Sequence, residues 1–82
     1  MRLILDSKER NIIGPSLKKI RLKKNLTQEE VSVRLETHAI YITRSSISKI
    51  ENQQRIVTDI ELLALANVLK VNVHTLLNNE KL

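Results

Sequence analysis

Two Thr-x-x-Glu quartets, Thr27-Gln28-Glu29-Glu30 and Thr58-Asp59-Ile60-Glu61, punctuate an 82-residue chain. In this spacing the threonine hydroxyl accepts from the backbone N–H three residues on, and the glutamate reaches back to the threonine's own N–H. Each quartet therefore marks the first turn of a helix. Leu26 precedes the first and supplies an apolar partner for a staple. Two such boxes commit most of a short chain to helix, and its composition agrees: 41% hydrophobic residues, with one Gly and one Pro, suit an all-α protein. A chain of this length makes one domain that buries somewhat over ~60% of its unfolded surface and has no room for a large cleft.

The remaining elements follow from local signals. Residues 1–12 lack helical periodicity and read as an N-terminal arm, with an extended piece at Arg2 to Leu5; such an arm can enter a minor groove or simply cover part of the core. Residues 13–82 form the folded domain. Gly14-Pro15 suits a helix entry, with Asn11 as a second possible cap. The first helix runs to about Lys24 with Ile13, Leu17 and Ile20 inward, and Asn25 ends it in the left-handed conformation. The second helix carries Val31 and Leu35 inward and is expected to persist to about His38. Ala39 to Ile42 is then an apolar connection containing the single aromatic residue, Tyr41, with Val33 as the expected floor for Ile40 or Ile42. In the fourth helix Leu62, Leu65, Ala66 and Leu69 make the core face, flanked by Ile60, Leu63 and Val68. Lys70 ends it where positive φ costs ~1 kcal/mol. Asn72 caps a last helix with Val73, Leu76 and Leu77.

Charge selects a partner class. Residues 1 to 55 hold 12 Lys/Arg against 6 Asp/Glu, while residues 56 to 82 hold 2 against 3, so the positive field belongs to the N-terminal two-thirds, where a polyanion would dock. The absence of cysteine removes disulfides and thiolate metal sites, and the opening apolar run is interrupted too early for a signal peptide or membrane span. A cytoplasmic protein without a membrane partner is the expectation. His38 and His74 stand apart without a metal-ligand cluster or nucleophile motif, so no catalytic residue, metal or cofactor is expected. With no Phe or Trp and only Tyr41, the chain lacks the stacking platforms that a single-strand binder needs, and that reading is set aside.

The stretch that would meet duplex DNA is Thr43 to Glu51, a short helix with Ile47 and Ile50 as its apolar stripe and with Arg44, Ser45, Ser48 and Lys49 left for other surfaces. Four segments together, Leu17-Lys-Lys-Ile-Arg21, Leu26-Thr-Gln-Glu-Glu-Val31, Arg44-Ser-Ser-Ile-Ser-Lys-Ile-Glu-Asn52 and Leu65-Ala-Asn-Val-Leu-Lys-Val71, resemble the phage repressor and Cro-like (xenobiotic-response-element type) helix-turn-helix domain. The resemblance covers residues 13 to 77 and implies a five-helix lambda-repressor-like fold in which helices 2 and 3 read the major groove. It implies base-facing roles for Arg44, Ser45 and Lys49, with Ser48 able to join them. It places Gln28 and Asn52 against phosphate and pairs Arg21 with Glu51 as a brace; Thr27 and Arg55 are further phosphate candidates, and Gln54 can join either set. Three features depart from the family pattern: 12 positions separate Leu35 from Ile47, enlarging the turn between helices 2 and 3, and Gln53 and Lys70 replace customary glycines.

The resulting expectation is a sequence-specific transcriptional regulator of repressor type that recognises double-stranded DNA, acting as a homodimer on a palindromic site. Val73, Leu76 and Leu77 are the candidates for self-association, or else they close the monomer core. The competing reading is a helix-turn-helix adaptor or antitoxin-like module that binds protein. Steep loss of affinity with salt distinguishes the first.

Overall fold

The computed structural model describes residues 8–78, which form five helices and no strand: α1 (Gly14–Lys23), α2 (Gln28–Glu36), α3 (Arg44–Glu51), α4 (Asp59–Leu69) and α5 (Val73–Leu77). The expected extended piece at Arg2 to Leu5 lies outside the described residues. Helices α2 to α5 all begin on side-chain caps. Thr27, Thr43, Thr58 and Asn72 accept from the N–H groups of Glu30, Ser46, Glu61 and Thr75 at 3.0, 3.1, 3.1 and 2.9 Å. Both capping boxes close, the Thr27 and Thr58 N–H groups donating to Glu30 and Glu61 Oε1 at 2.8 and 3.0 Å. The bond from the Thr27 backbone holds the Glu30 carboxyl below its ordinary range. Each cap contributes about 1 kcal/mol and sets where its helix starts.

The ends are as regular as the starts. Helices α1 to α4 each turn out through a residue with positive φ: Asn25 (57°), Ala39 (60°), Gln53 (61°) and Lys70 (59°). Behind each, the next residue's N–H reaches back five positions: Leu26 to Arg21 and Ile40 to Leu35 at 3.0 Å, Gln54 to Lys49 at 2.8 Å, Val71 to Ala66 at 3.0 Å. This is the Schellman geometry, built here without a single glycine. It also stops α2 at Glu36, two residues before the expected His38, because Ala39 reverses the chain and the Thr37 hydroxyl donates to the Arg34 carbonyl at 2.6 Å.

The core is one cluster. Leu17 of α1, Val31 and Leu35 of α2, Ile47 and Ile50 of α3, Leu65 and Leu69 of α4 and Leu76 of α5 are almost completely removed from solvent. Helix α2 packs on α3 and α4, while α1 packs on α3 and α5, so the third helix is backed by two others and keeps its polar face outward. Three expectations need correction. Val33 is half exposed and is not the floor of the connection; Ile42 enters the main core instead, its carbonyl accepting from the buried Ser32 hydroxyl at 2.6 Å. Ile60 and Leu63 flank the core face of α4 in sequence but are mostly exposed, whereas Ala64 is buried. Leu76 is wholly buried in the chain's own core and cannot serve self-association, while Val73 is half-buried and Leu77 remains partly exposed.

Candidate nucleic-acid interface

The site is α3 together with the start of α2. Thr43 fixes where α3 begins, and the burial of Ile47 and Ile50 fixes its rotation. What remains outward is Arg44, Ser45 and Lys49, all exposed, with Ser48 half-buried between them. Ser45, Ser48, Arg44 and Gln28 line one shallow concavity, so the first turns of the two helices share a surface. That surface combines one cation, two hydroxyls and an amide, with the exposed Lys49 further along α3, a donor-rich set suited to base edges and phosphates.

Below it lies a bonded brace. Arg21 Nε donates to Glu51 Oε2 at 2.6 Å and Arg21 Nη2 to Glu51 Oε1 at 3.1 Å, a bidentate pair with 9% and 2% of the respective side chains exposed. The guanidinium also donates to the Leu26 carbonyl at 2.8 Å, which ties the α1–α2 turn into the same arrangement. Gln28 Nε2 donates to Glu51 Oε1 at 3.0 Å. The amide thus joins the brace while bordering the concavity it shares with Arg44, Ser45 and Ser48.

The C-terminal end of α3 is held from the other side. Asn11 is buried; its Nδ2 donates to the Ile50 and Arg55 carbonyls at 3.1 and 2.8 Å, and its Oδ1 accepts from Gly14 N–H at 2.9 Å. Gln53 Nε2 donates to the Asn11 carbonyl at 3.1 Å, and Arg10 N–H donates to the Gln53 carbonyl at 2.9 Å. Gly14 makes the approach possible, because a Cβ there would lie 2.5 Å from the Ile50 carbonyl oxygen and 2.8 Å from that of Glu51. Residues 10 and 11, placed in the arm from sequence, are therefore part of the mount of α3. Asn11 was visible as a cap for α1, but its reach to residues about forty positions away left no local signal.

Not every expected contact residue faces outward with free chemistry. Thr27, Asn52 and Gln54 are exposed around the site. Arg55 instead makes a bidentate pair with Glu61, Nη1 to Oε1 at 3.0 Å and Nη2 to Oε2 at 2.9 Å. This pairing raises the guanidinium's pKa and lowers the Glu61 carboxyl's, the hydrogen bond between them being the largest cause of both shifts. The pair joins the loop after α3 to the α4 capping box, at a residue expected to stand beside phosphate. Among the described residues there is no group of three or more potential metal ligands, and no helix is long and apolar enough to cross a membrane.

Comparison with known proteins agrees with the helix-turn-helix fold. The helix-turn-helix family model HTH_3 matches residues 17–76. Among solved structures, the restriction-modification controller protein C.AhdI from Aeromonas hydrophila is similar at a TM-score of 0.69 and 28% identity, over 78% of this chain and 89% of that one. No curated protein matches.

Proposed function

This chain belongs to the HTH_3 helix-turn-helix family, that of DNA-binding transcription regulators, and from that premise we propose that it is a repressor that reads a specific duplex site through the major groove with α3. The observation that carries this reading is the braced, outward-facing row of Arg44, Ser45 and Lys49, seated on the Arg21–Glu51–Gln28 network. Arg44 and Lys49 have the donors for guanine O6 and N7, a discrimination of roughly 1 to 3 kcal/mol for a good bidentate pair. The start of α2 offers Thr27, the Gln28 amide and first-turn N–H groups to a phosphate. Asn52 and Gln54 sit where the backbone would pass the other end of α3. The likeness to a restriction-modification controller protein supports the regulatory role.

One helix reads few base pairs, so two copies on a palindrome about one helical turn apart complete the proposal. With Leu76 buried, the exposed Ile60 and Leu63 of α4, together with Leu77, are among the apolar positions open to a second copy. The test is selection of bound sequences from a random duplex pool, followed by titration at increasing salt. We expect a recovered palindrome and a steep linear fall of log affinity with log salt. Absence of binding to both random and selected duplexes at low salt would end this reading and favour a protein-binding adaptor.

A further inference from the structure

The chain's single tyrosine stands just ahead of α3. Tyr41 is 78% exposed although both neighbours turn inward, Ile40 half-buried against the core and Ile42 buried within it. The stretch is held at three points: Ile40 N–H on the Leu35 carbonyl, the Ser32 hydroxyl on the Ile42 carbonyl, and the Thr43 cap on α3. Burial alternates along the stretch, inward at Ile40 and Ile42 and outward at Tyr41, so these anchors leave the ring outward from one defined place. The enlarged turn between α2 and α3 thus presents an aromatic side chain rather than a slack loop. The ring borders a depression shared with Glu29 and Glu36 of α2 and with Arg44 and Ser45 of α3.

We infer that Tyr41 is a specificity-determining residue of the proposed interface, its ring packing on the C5-methyl group of a thymine beside the base pairs read by Arg44 and Ser45. The inference rests on the DNA-binding reading above. Only Ile42 separates Tyr41 from the Thr43 cap, a span of at most about 7 Å over two residue steps, which keeps the ring within a major groove about 12 Å wide. There it meets either phosphates or base edges. The two carboxylates of Glu29 and Glu36 outnumber the one guanidinium, Arg44, around the same depression, so its net charge disfavours phosphate, whereas base edges carry no net charge. On those edges the thymine methyl is the apolar group available to a ring. Aromatic side chains draw most of their contact energy from such burial.

Replacing thymine by deoxyuridine removes that methyl and nothing else. On the duplex recovered by selection, each thymine is replaced singly, and binding is measured for wild type, Tyr41→Ala and Tyr41→Phe. We expect one thymine, within about two base pairs of the position sensitive to Arg44→Ala, whose replacement weakens wild type about fourfold, the value of one buried methyl-sized group. Tyr41→Ala should be indifferent to that replacement, and Tyr41→Phe should keep the discrimination. The side chain is exposed, so equal thermal midpoints of all three proteins check that folding is untouched. Equal tolerance of deoxyuridine by wild type at every flanking position, a selected site lacking thymine there, or undiminished discrimination by Tyr41→Ala overturns the inference while leaving DNA binding in place. Failure of wild type to bind any duplex overturns both.

Discussion

The two ends of α3 are built to opposite specifications. Its C-terminal end is enclosed: Glu51 is clamped by Arg21 and Gln28, the Ile50 carbonyl is held by Asn11, and Gly14 lets α1 approach to backbone contact. Its N-terminal end carries Arg44 and Ser45 into solvent, approached by a connection that is bonded to the body through Ile40 and Ile42 and leaves Tyr41 outside. Rigidity is concentrated behind the reading surface, and exposed donors are concentrated in front of it. A probe of eight residues has too little surface to orient itself; its direction comes from the elements packed behind it.

The sharpest way to break this division is at Glu51. Glu51→Ala leaves Arg21 charged and shielded without its partner, and we expect a loss of about 3 to 5 kcal/mol in urea-induced unfolding. Arg44→Ala, at the open end, should change the same midpoint hardly at all. Gly14→Ala comes next: its Cβ would press on two carbonyl oxygens of α3, and overpacking of this kind costs about 1 to 3 kcal/mol. The expected signature is a lowered Tm with weaker binding to every duplex, since the whole helix shifts.

Smaller effects sharpen the contrast by lying away from the mount. Lys70 holds φ at 59° after α4, its side chain makes none of the hydrogen bonds described above, and Lys70→Gly should stabilise by about 1 kcal/mol with no change in DNA affinity. Gln53 has the same backbone conformation after α3, but its amide bonds to Asn11, so the matching glycine substitution should gain less. The smallest effect is on pH dependence. The Glu61 carboxyl is lowered in the folded protein, first by its hydrogen bond to Arg55, so its stabilisation is present above the unfolded carboxylate pKa and is lost as pH falls through the lower folded value. Below about pH 4.5 wild type should therefore lose stability that Glu61→Gln lacks at any pH, a difference under about 1 kcal/mol for so accessible a pair.

Legibility in the sequence divides along similar lines. The starts of α2 to α5 could be read because a cap is local chemistry, a hydroxyl or amide oxygen placed three residues before the N–H it accepts. The positive φ at Ala39 could not, since alanine does not favour it, and the turn at Gln53 showed only as a departure from a customary glycine; the packing of Ile40 and the bonds around Asn11 hold these conformations. The outward row of Arg44, Ser45 and Lys49 followed from the two-isoleucine stripe. The mount did not, because Asn11, Gly14 and Gln53 act through contacts across the fold. Ser32, lying between Val31 and Leu35 on the inward side of α2, was a readable hint: a small hydroxyl in a core-facing position needs a partner, and it finds the Ile42 carbonyl. Periodicity alone also failed to separate Ile60 and Leu63 from the core face, since nothing packs over that side of α4 within the described residues.

On the proposed reading, the outward face of α3 from Arg44 to Lys49 meets bases while the buried groups behind its C-terminal end hold the helix in place. The most direct test is the affinity of Arg44→Ala for the selected duplex and for every single-base-pair variant of it, beside wild type. The account predicts that the mutant loses discrimination at one or two base pairs, by about tenfold or more for a lost bidentate contact, and keeps the wild-type ranking elsewhere. A uniform weakening across all variants, with every preference intact, would contradict it.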